Sequence, residues 1–277
     1  MKRLILVGLG LIACVALTAC HRDAAKKNQV VVGTVAGPET KLMSVAANMA
    51  QRCFGVTVKV VPFSDYNTPN IALANGSLDA NAFQHLPYLQ AQIQLHHYPL
   101  VSVGHTFLYP MALYSKTYRS LSQLPDHAQV AIPNDPSNEA RALGLLQAAH
   151  LLTLRQGAGL NATPQDVVVN KKQLRFVELD AAELPRALQS VAAATINTNY
   201  AVPAGLSPTT SLFEEGPQSP FMNVIVARRA DVHRAEIQDL VKAYQTPEVV
   251  AAAKQAFGDA AVAGFKPKAC VANTKSS

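Results

Sequence analysis

An α/β fold is the class this sequence predicts, and three observations lead to it. Segments rich in β-branched residues alternate with segments of helical periodicity along most of the chain, the order expected of strand–helix–strand units built on mostly parallel sheets. No low-complexity stretch and no internal repeat interrupts that alternation. Setting residues 1–19 aside as a leader leaves 258 of the 277 residues, enough for two lobes with separate cores.

The leader is read from its own chemistry. Lys2 and Arg3 precede an almost unbroken apolar run from Leu4 to Ala16, shorter than the roughly 20 residues a spanning helix needs. That is the build of a secretory signal, and it is kept out of fold reasoning. Leu17-Thr18-Ala19-Cys20 resembles the bacterial lipobox, in which small residues fit the signal peptidase and the cysteine thiol receives diacylglycerol. The alternative Leu11-Ile12-Ala13-Cys14 leaves an unusually short apolar region, so Cys20 is the expected lipidation site. The competing reading is an ordinary signal with a cysteine near the cut. Acyl chains contribute about 0.8 kcal/mol per buried CH₂, so a lipidated Cys20 holds the protein at a membrane, facing the periplasm or the cell exterior. Residues 20–28 then form a polar tether.

Formal charge falls from +6 to +4 when Lys2 and Arg3 leave with the leader. The remaining basic residues are scattered or paired, as at Lys26-Lys27 and Arg228-Arg229, so no nucleic-acid partner is expected. Beyond Cys14 and Cys20 only Cys53 and Cys270 remain; outside the cytoplasm they read either as a disulfide or as two separate thiols.

Along the mature chain, Gln29–Val35 is a β-branched run ending in Gly and Pro signals, and reads as a buried strand. Leu42, Val45, Ala46, Met49 and Cys53 recur at helical spacing. Strand Val56–Phe63, helix Ile71–Leu78, helix Pro87–His96 and strand Leu100–Val103 follow. Val130–Ile132 is a strand before a turn and a helix from Glu139 to Leu152; Leu174–Leu179 is a strand before a helix over Ala181–Val191. Thr195-Ile196 and Asn223–Ala227 are strands, Ile237, Leu240, Val241 and Tyr244 mark an amphipathic helix, and Glu248–Phe257 is the last helix. Two aromatic, proline-containing passages, Phe107–Pro110 and Ser219–Asn223, are the expected crossings between lobes. They divide the chain into a first lobe of residues 29–108 plus 223–265, a second of 109–222, and a loose polar tail of 266–277.

Five blocks resemble the methionine-binding lipoproteins of the MetQ/NlpA family: Val61–Tyr66 (VPFSDY), Asp79–Tyr88 (DANAFQHLPY), Val130–Asn138 (VAIPNDPSN), Ile196–Ala201 (INTNYA) and Ser219–Asn223 (SPFMN). They stand in the family's order, behind the lipobox, and the likeness runs from about residue 30 to 265. The resemblance implies a type II periplasmic-binding-protein clamshell with a hinge of two crossing segments. It implies L-methionine as ligand, with D-methionine or methionine-containing dipeptides as variants. It also implies an ABC importer as partner, with membrane subunits and ATPase subunits. Hydrolysis belongs to those ATPase subunits, because this chain has no Gly-x-x-x-x-Gly-Lys-[Ser/Thr] loop. No cofactor is implied.

The residues can be read beside the resemblance. Arg141 lies three residues after Asn138 near a helix start, where a guanidinium can hold a carboxylate through two parallel hydrogen bonds; its other reading is a solvent-facing helix arginine. Asn197 and Asn223 sit at a strand end and a lobe crossing, positions that suit either ligand contacts or turn and capping roles. Asn138 and Asn199 are the neighbouring candidates. Tyr66, Phe83, His85 and Tyr88 read either as ordinary core or as the wall of a slot for a thioether; the motif match favours the slot. Arg141 and Asn197 then come from the second lobe, and the aromatic group from the first. Departures from the family are a shorter, less acidic segment Leu188–Thr195 and an extension after Phe265.

Rival classes find less support. His85, His96, His97 and His105 are among eight histidines, yet their spacing offers no convincing set of three metal ligands. Gly-x-Ser-x-Gly and His-Glu-x-x-His are both missing, and Asp65, Asp79 and Asp135 read as turn or capping residues, so an enzyme is not expected. An additional interaction role in the envelope is compatible with a displayed lipoprotein.

Overall fold

The computed structural model describes residues 28–216 and 218–271. The leader, Cys20, the tether before Asn28 and residues 272–277 lie outside the described residues.

The first block of elements is β1 (Gln29–Val35), α1 (Pro38–Phe54), β2 (Thr57–Phe63), α2 (Thr68–Ala74), β3 (Ala80–His85), α3 (Leu86–His96) and β4 (Leu100–Leu108). The second comprises β5 (Ala112–Tyr114), β6 (Gln129–Pro133), α4 (Pro136–Ala148), β7 (Thr153–Leu154), β8 (Val167–Val169), β9 (Arg175–Leu179), α5 (Leu184–Ala187), β10 (Ala193–Ile196), α6 (Thr198–Ala201) and β11 (Phe213–Glu214). The chain then returns through β12 (Met222–Arg228), α7 (Ala235–Tyr244), α8 (Pro247–Phe257) and β13 (Val262–Ala263).

Two main sheets result. The first has the order β13-β4-β12-β3-β1-β2 and the second β11-β5-β10-β6-β9. Both are mixed, where the alternation of elements predicted mostly parallel sheets. In the first, β1 runs parallel to β2 and β3, but β12 runs antiparallel to both β3 and β4. The reason is the lobe crossing itself. β4 carries the chain toward the second sheet and β12 brings it back, so neighbouring strands must point in opposite directions. Met222 pairs with Leu108, which sets the two crossings side by side.

Alternation along the strands divides the cores. Val30, Val32, Ile225 and Ala227 pack under α1, α7 and α8 with Leu42, Met43, Ile237 and Leu240. Val224 and Val226 face the opposite side, against Leu73, Leu89 and Leu100. Each such fully buried aliphatic chain stabilises by roughly 1.5–3 kcal/mol. In the second sheet Val130 and Ile132 pack with Leu143 and Leu146 of α4. On its other face Ala112, Ala131, Ala194 and Ile196 join a cluster that includes Val35, Tyr66, Phe83 and Tyr88 of the first lobe. One cluster therefore spans the cleft.

Several elements differ from the sequence expectations, α2 and the longer β4 among them, and three do so for identifiable reasons. The helix expected over Ala181–Val191 is a 3₁₀ turn, Ala181–Glu183, followed by the single turn α5, because Pro185 has no N–H to continue the ladder. α4 starts earlier than Glu139, with the Asp135 side chain accepting from Asn138 N and Pro136 in the first turn, and His150 beyond its end has a φ of 58°. β3 was not expected as a strand, since its Asn81 and Gln84 are polar and fully buried. They are satisfied by an amide network: Asn81 Nδ2 and Gln84 Nε2 both donate to Asn70 Oδ1, at 2.9 and 2.7 Å.

The start of the tail is fastened where looseness was expected. Lys268 N donates to Gln245 O at 3.0 Å, and Cys270 is joined to Cys53 of α1 by a disulfide. Because that bridge closes nearly the whole mature chain into a loop, its loss frees much unfolded-state entropy. The double variant Cys53→Ser/Cys270→Ser is expected to melt roughly 5–15 °C lower in calorimetry; an unchanged melting temperature would count against a bridge that stabilises the fold.

Candidate functional site

The register of β3 and β12 places His85 opposite Asn223 at the edge of the first lobe. Facing them across the cleft are the start of α4 and the end of β10. Between lies a small pocket lined by side chains from both lobes. All eight residues expected at the site line it: Tyr66, Phe83, His85 and Tyr88 from the first lobe, Asn138, Arg141 and Asn197 from the second, and Asn223 on the return strand.

Asn138 is the junction. Asp135 Oδ1 accepts from its backbone N at 3.0 Å, and Asp135 Oδ2 from its Nδ2 at 2.9 Å, fixing the amide orientation. Asn138 Oδ1 then accepts from Asn197 Nδ2 at 2.8 Å and lies 3.1 Å from His85 Nε2. His85 Nδ1 accepts from Tyr88 N at 3.0 Å as the cap of α3. With Nδ1 lacking a proton, Nε2 must carry one and donate to Asn138. Burial, followed by the nearby Arg141 charge, lowers the His85 pKa to about 3, so the imidazole is neutral. The Asn197 nitrogen is committed to Asn138, while its buried Oδ1 has no hydrogen-bond partner among the described residues. That oxygen is an acceptor waiting for a donor.

Arg141 is buried, 5% exposed, and paired with Glu215, which accepts from both Nε and Nη2. Nη2 also donates to Tyr109 O at 2.9 Å. Both hydrogens of Nη2 are thereby used, so of the guanidinium nitrogens Nη1 is the one left to donate to a further acceptor. The Phe221 ring lies 4.4 Å from the guanidinium carbon, a cation–π contact that fixes the plane of the group.

Aromatic rings continue from this point to the far wall. Phe221 meets His85 at 5.0 Å between centroids, His85 meets Tyr88 at 6.1 Å, and Tyr88 meets Phe83 at 6.0 Å and Tyr66 at 5.9 Å. Tyr66 and Tyr88 also satisfy their hydroxyls internally, Tyr88 donating to Tyr66 O at 2.9 Å and Tyr66 to Asn199 Oδ1 at 2.7 Å. The wall these rings form is apolar and polarizable, and amides, Thr198 and Arg141 make up the rest of the lining.

Residues 30–265 match the NlpA lipoprotein family. The chain belongs to that family. A relative from Vibrio cholerae, named probable D-methionine-binding lipoprotein MetQ, is 48% identical over 90% of this chain and 93% of its own. An ABC-transporter periplasmic substrate-binding protein from Coxiella burnetii has a solved structure that is 54% identical, with a TM-score of 0.83 over 85% of this chain and 100% of its own. A nutrient-binding protein from Burkholderia cenocepacia, solved bound to methionine, is 48% identical with a TM-score of 0.84, over 85% and 100%.

Within this NlpA-family chain, two of the three aspartates fill the expected turn and capping roles: Asp65 accepts from Asn67 N and Thr68 N, and Asp135 caps α4. Asp79 does not; it pairs with Arg234 at 2.7 Å and accepts from Val31 N at 2.9 Å, tying β1 to a distant segment. His97 ends α3 with a φ of 56°, and His96 stacks on Tyr98 at 5.0 Å. The shortened segment Leu188–Thr195 ends in β10 without displacing Asn197 from the cavity.

Gln84, Tyr109, Thr198 and Asn199 also line the cavity. Asn199 was already a neighbouring candidate in the sequence, whereas Tyr109 lay in a recognisable crossing that only folding shows to turn inward. Glu39 and Glu215, which hold the lining residues from behind, carried no sequence signal. Their partners are more than 70 positions away.

Linkage at His85 has a definite sign. Its folded pKa lies below the unfolded value near 6.5, so the unfolded chain binds more protons between the two and stability falls as pH drops from about 6.5 toward 3. A His85→Gln variant is expected to show a shallower loss of melting temperature over that window. An acid slope as steep as the wild type's would mean that His85 is not the group responsible.

Proposed function

We propose that this chain captures methionine outside the cytoplasmic membrane and delivers it to an ABC importer, as a binding protein and not an enzyme. One observation carries the reading: the cavity arranges a buried cation, unpartnered amide oxygen and a run of aromatic rings in sequence. A free amino acid presents a carboxylate, an ammonium and a side chain in the same sequence. Arg141 Nη1 receives the carboxylate, and Asn197 Oδ1, with the Asn223 amide beside it, receives the ammonium. The rings of Tyr66, Phe83 and Tyr88 receive the thioether, each sulfur–aromatic contact contributing about 0.3–1.5 kcal/mol. The names of the relatives support the same ligand, in the L or D form.

Membrane attachment through a lipid at Cys20 fits this role, with the importer's membrane and ATPase subunits as partners. Among the described residues no helix is long and apolar enough to cross a membrane. Closure follows from contact with both lobes: a ligand held by Arg141 and Asn197 on one side and the aromatic group on the other favours the closed state by its differential affinity.

The test is calorimetric titration of protein starting after Cys20, unfolded, dialysed and refolded to remove retained ligand. One-to-one binding of L-methionine is expected, with D-methionine and a methionyl dipeptide as comparisons. Arg141→Ala is expected to cost more than about 2 kcal/mol, roughly 30-fold in affinity, with folding verified by circular dichroism. Uptake of leucine or glutamine with no heat from methionine would keep the clamshell and overturn the ligand.

A further inference from the structure

We propose that Glu39 is a positioning and specificity-determining residue for the ligand ammonium, acting from behind the cavity wall through Asn199 and Asn223. The assignment rests on the amino-acid reading above.

Local structure delivers this carboxyl group to its place. Gly37, with a φ of 118°, makes the turn out of β1, and Pro38 opens α1. Glu39 is therefore in the first helical turn and is driven inward, only 5% exposed. Its two oxygens are divided between two amides, Asn199 Nδ2 at 3.4 Å from Oε2 and Asn223 Nδ2 at 3.3 Å from Oε1. Asn199 belongs to the second lobe and Asn223 to the return strand, so one carboxyl group touches both sides of the cleft.

Amide orientation follows. Tyr66 O–H donates to Asn199 Oδ1, which leaves the Asn199 nitrogen for Glu39. Asn223 Nδ2 is directed to Glu39 and to Phe83 O, which turns the Asn223 oxygen away from both. Asn223 lines the cavity, so that oxygen joins the unpartnered Asn197 Oδ1 as an acceptor there. Two acceptor oxygens backed by a carboxyl group suit an ammonium and oppose a second carboxylate.

Charge strengthens the case. No Lys or Arg pairs with Glu39 among the described residues, and burial lifts its pKa from 4.5 to about 8 against the lowering effect of the two amides. The titratable groups facing it are the hydroxyls of Tyr66, Tyr109, Tyr200 and Tyr244, all pushed upward, chiefly by burial, and neutral. A cation arriving beside Asn197 and Asn223 favours the carboxylate, so its proton leaves when the ligand binds.

Calorimetry in phosphate and Tris buffers at about pH 7 counts that proton. Wild-type protein is expected to release a substantial fraction of a proton per L-methionine, and to bind more tightly as pH rises toward 8. With 4-(methylthio)butanoate, which lacks the amino group, release is expected to vanish. Glu39→Gln is expected to abolish release and to weaken methionine about tenfold or more, while changing 4-(methylthio)butanoate less than about threefold. Methionine binding without proton release in the wild type, or equal release with both ligands, would overturn the assignment and leave the methionine reading intact; this holds even if the variant fails to fold. Wild-type protein that takes up no methionine would sink both.

Discussion

The carboxamide of Asn138 accepts hydrogen bonds from both sides of the cleft, from His85 Nε2 at 3.1 Å and from Asn197 Nδ2 at 2.8 Å. Much else depends on that arrangement. It can exist only because Asp135 orients the amide and caps α4 with the same carboxylate. The cap positions the first turns of the helix and hence Arg141. The amide oxygen fixes the proton on His85, and the same bond spends the Asn197 nitrogen and leaves its oxygen for the cavity. Each buried group that lost its partner here would cost about 1–3 kcal/mol, so the network is held as a unit and not as a set of separate contacts.

Polarity in the cavity is thereby ordered along one direction. Arg141 is neutralised from behind by Glu215 and held flat by Phe221, so it offers a single outward edge. Amide oxygens follow, then aromatic rings. Contacts that do not involve ligand also bridge the cleft: Tyr66 to Asn199 at 2.7 Å and Tyr200 to Ser64 O at 3.2 Å. If the lobes separate, these contacts are lost together with those to the ligand, so the free energy of closure would be shared between protein and ligand. A ligand that filled only one end of the cavity would recover less of it.

The legible part of the sequence was what local periodicity and motif order carry. β1, β2, α1, α7 and α8 were readable from apolar spacing, and seven of the eight expected lining residues stood in five ordered blocks, with Arg141 three residues beyond the third. β3 was not readable, because Asn81 and Gln84 become acceptable in a buried strand only when Asn70 is brought to them by folding. Glu39 and Glu215 escaped for the same reason. A carboxylate that works through an amide or a guanidinium from a distant segment leaves no spacing pattern. Pro185 divides the helix that apolar periodicity predicts over Ala181–Val191, because a missing N–H breaks a ladder that side-chain spacing does not register. Cys53 and Cys270 left two readings open until the fold put their Cα atoms 6.0 Å apart.

The central claim is that one zwitterionic amino acid lies along this cavity with its thioether among the rings. Crystals grown with free L-selenomethionine as ligand, on protein made with ordinary methionine, would show this through the anomalous signal of selenium. That peak is expected about 5 Å from the rings of Tyr66, Phe83 and Tyr88, with the ligand carboxylate on Arg141 Nη1. A selenium peak beside Arg141, or none in the cavity, would contradict it.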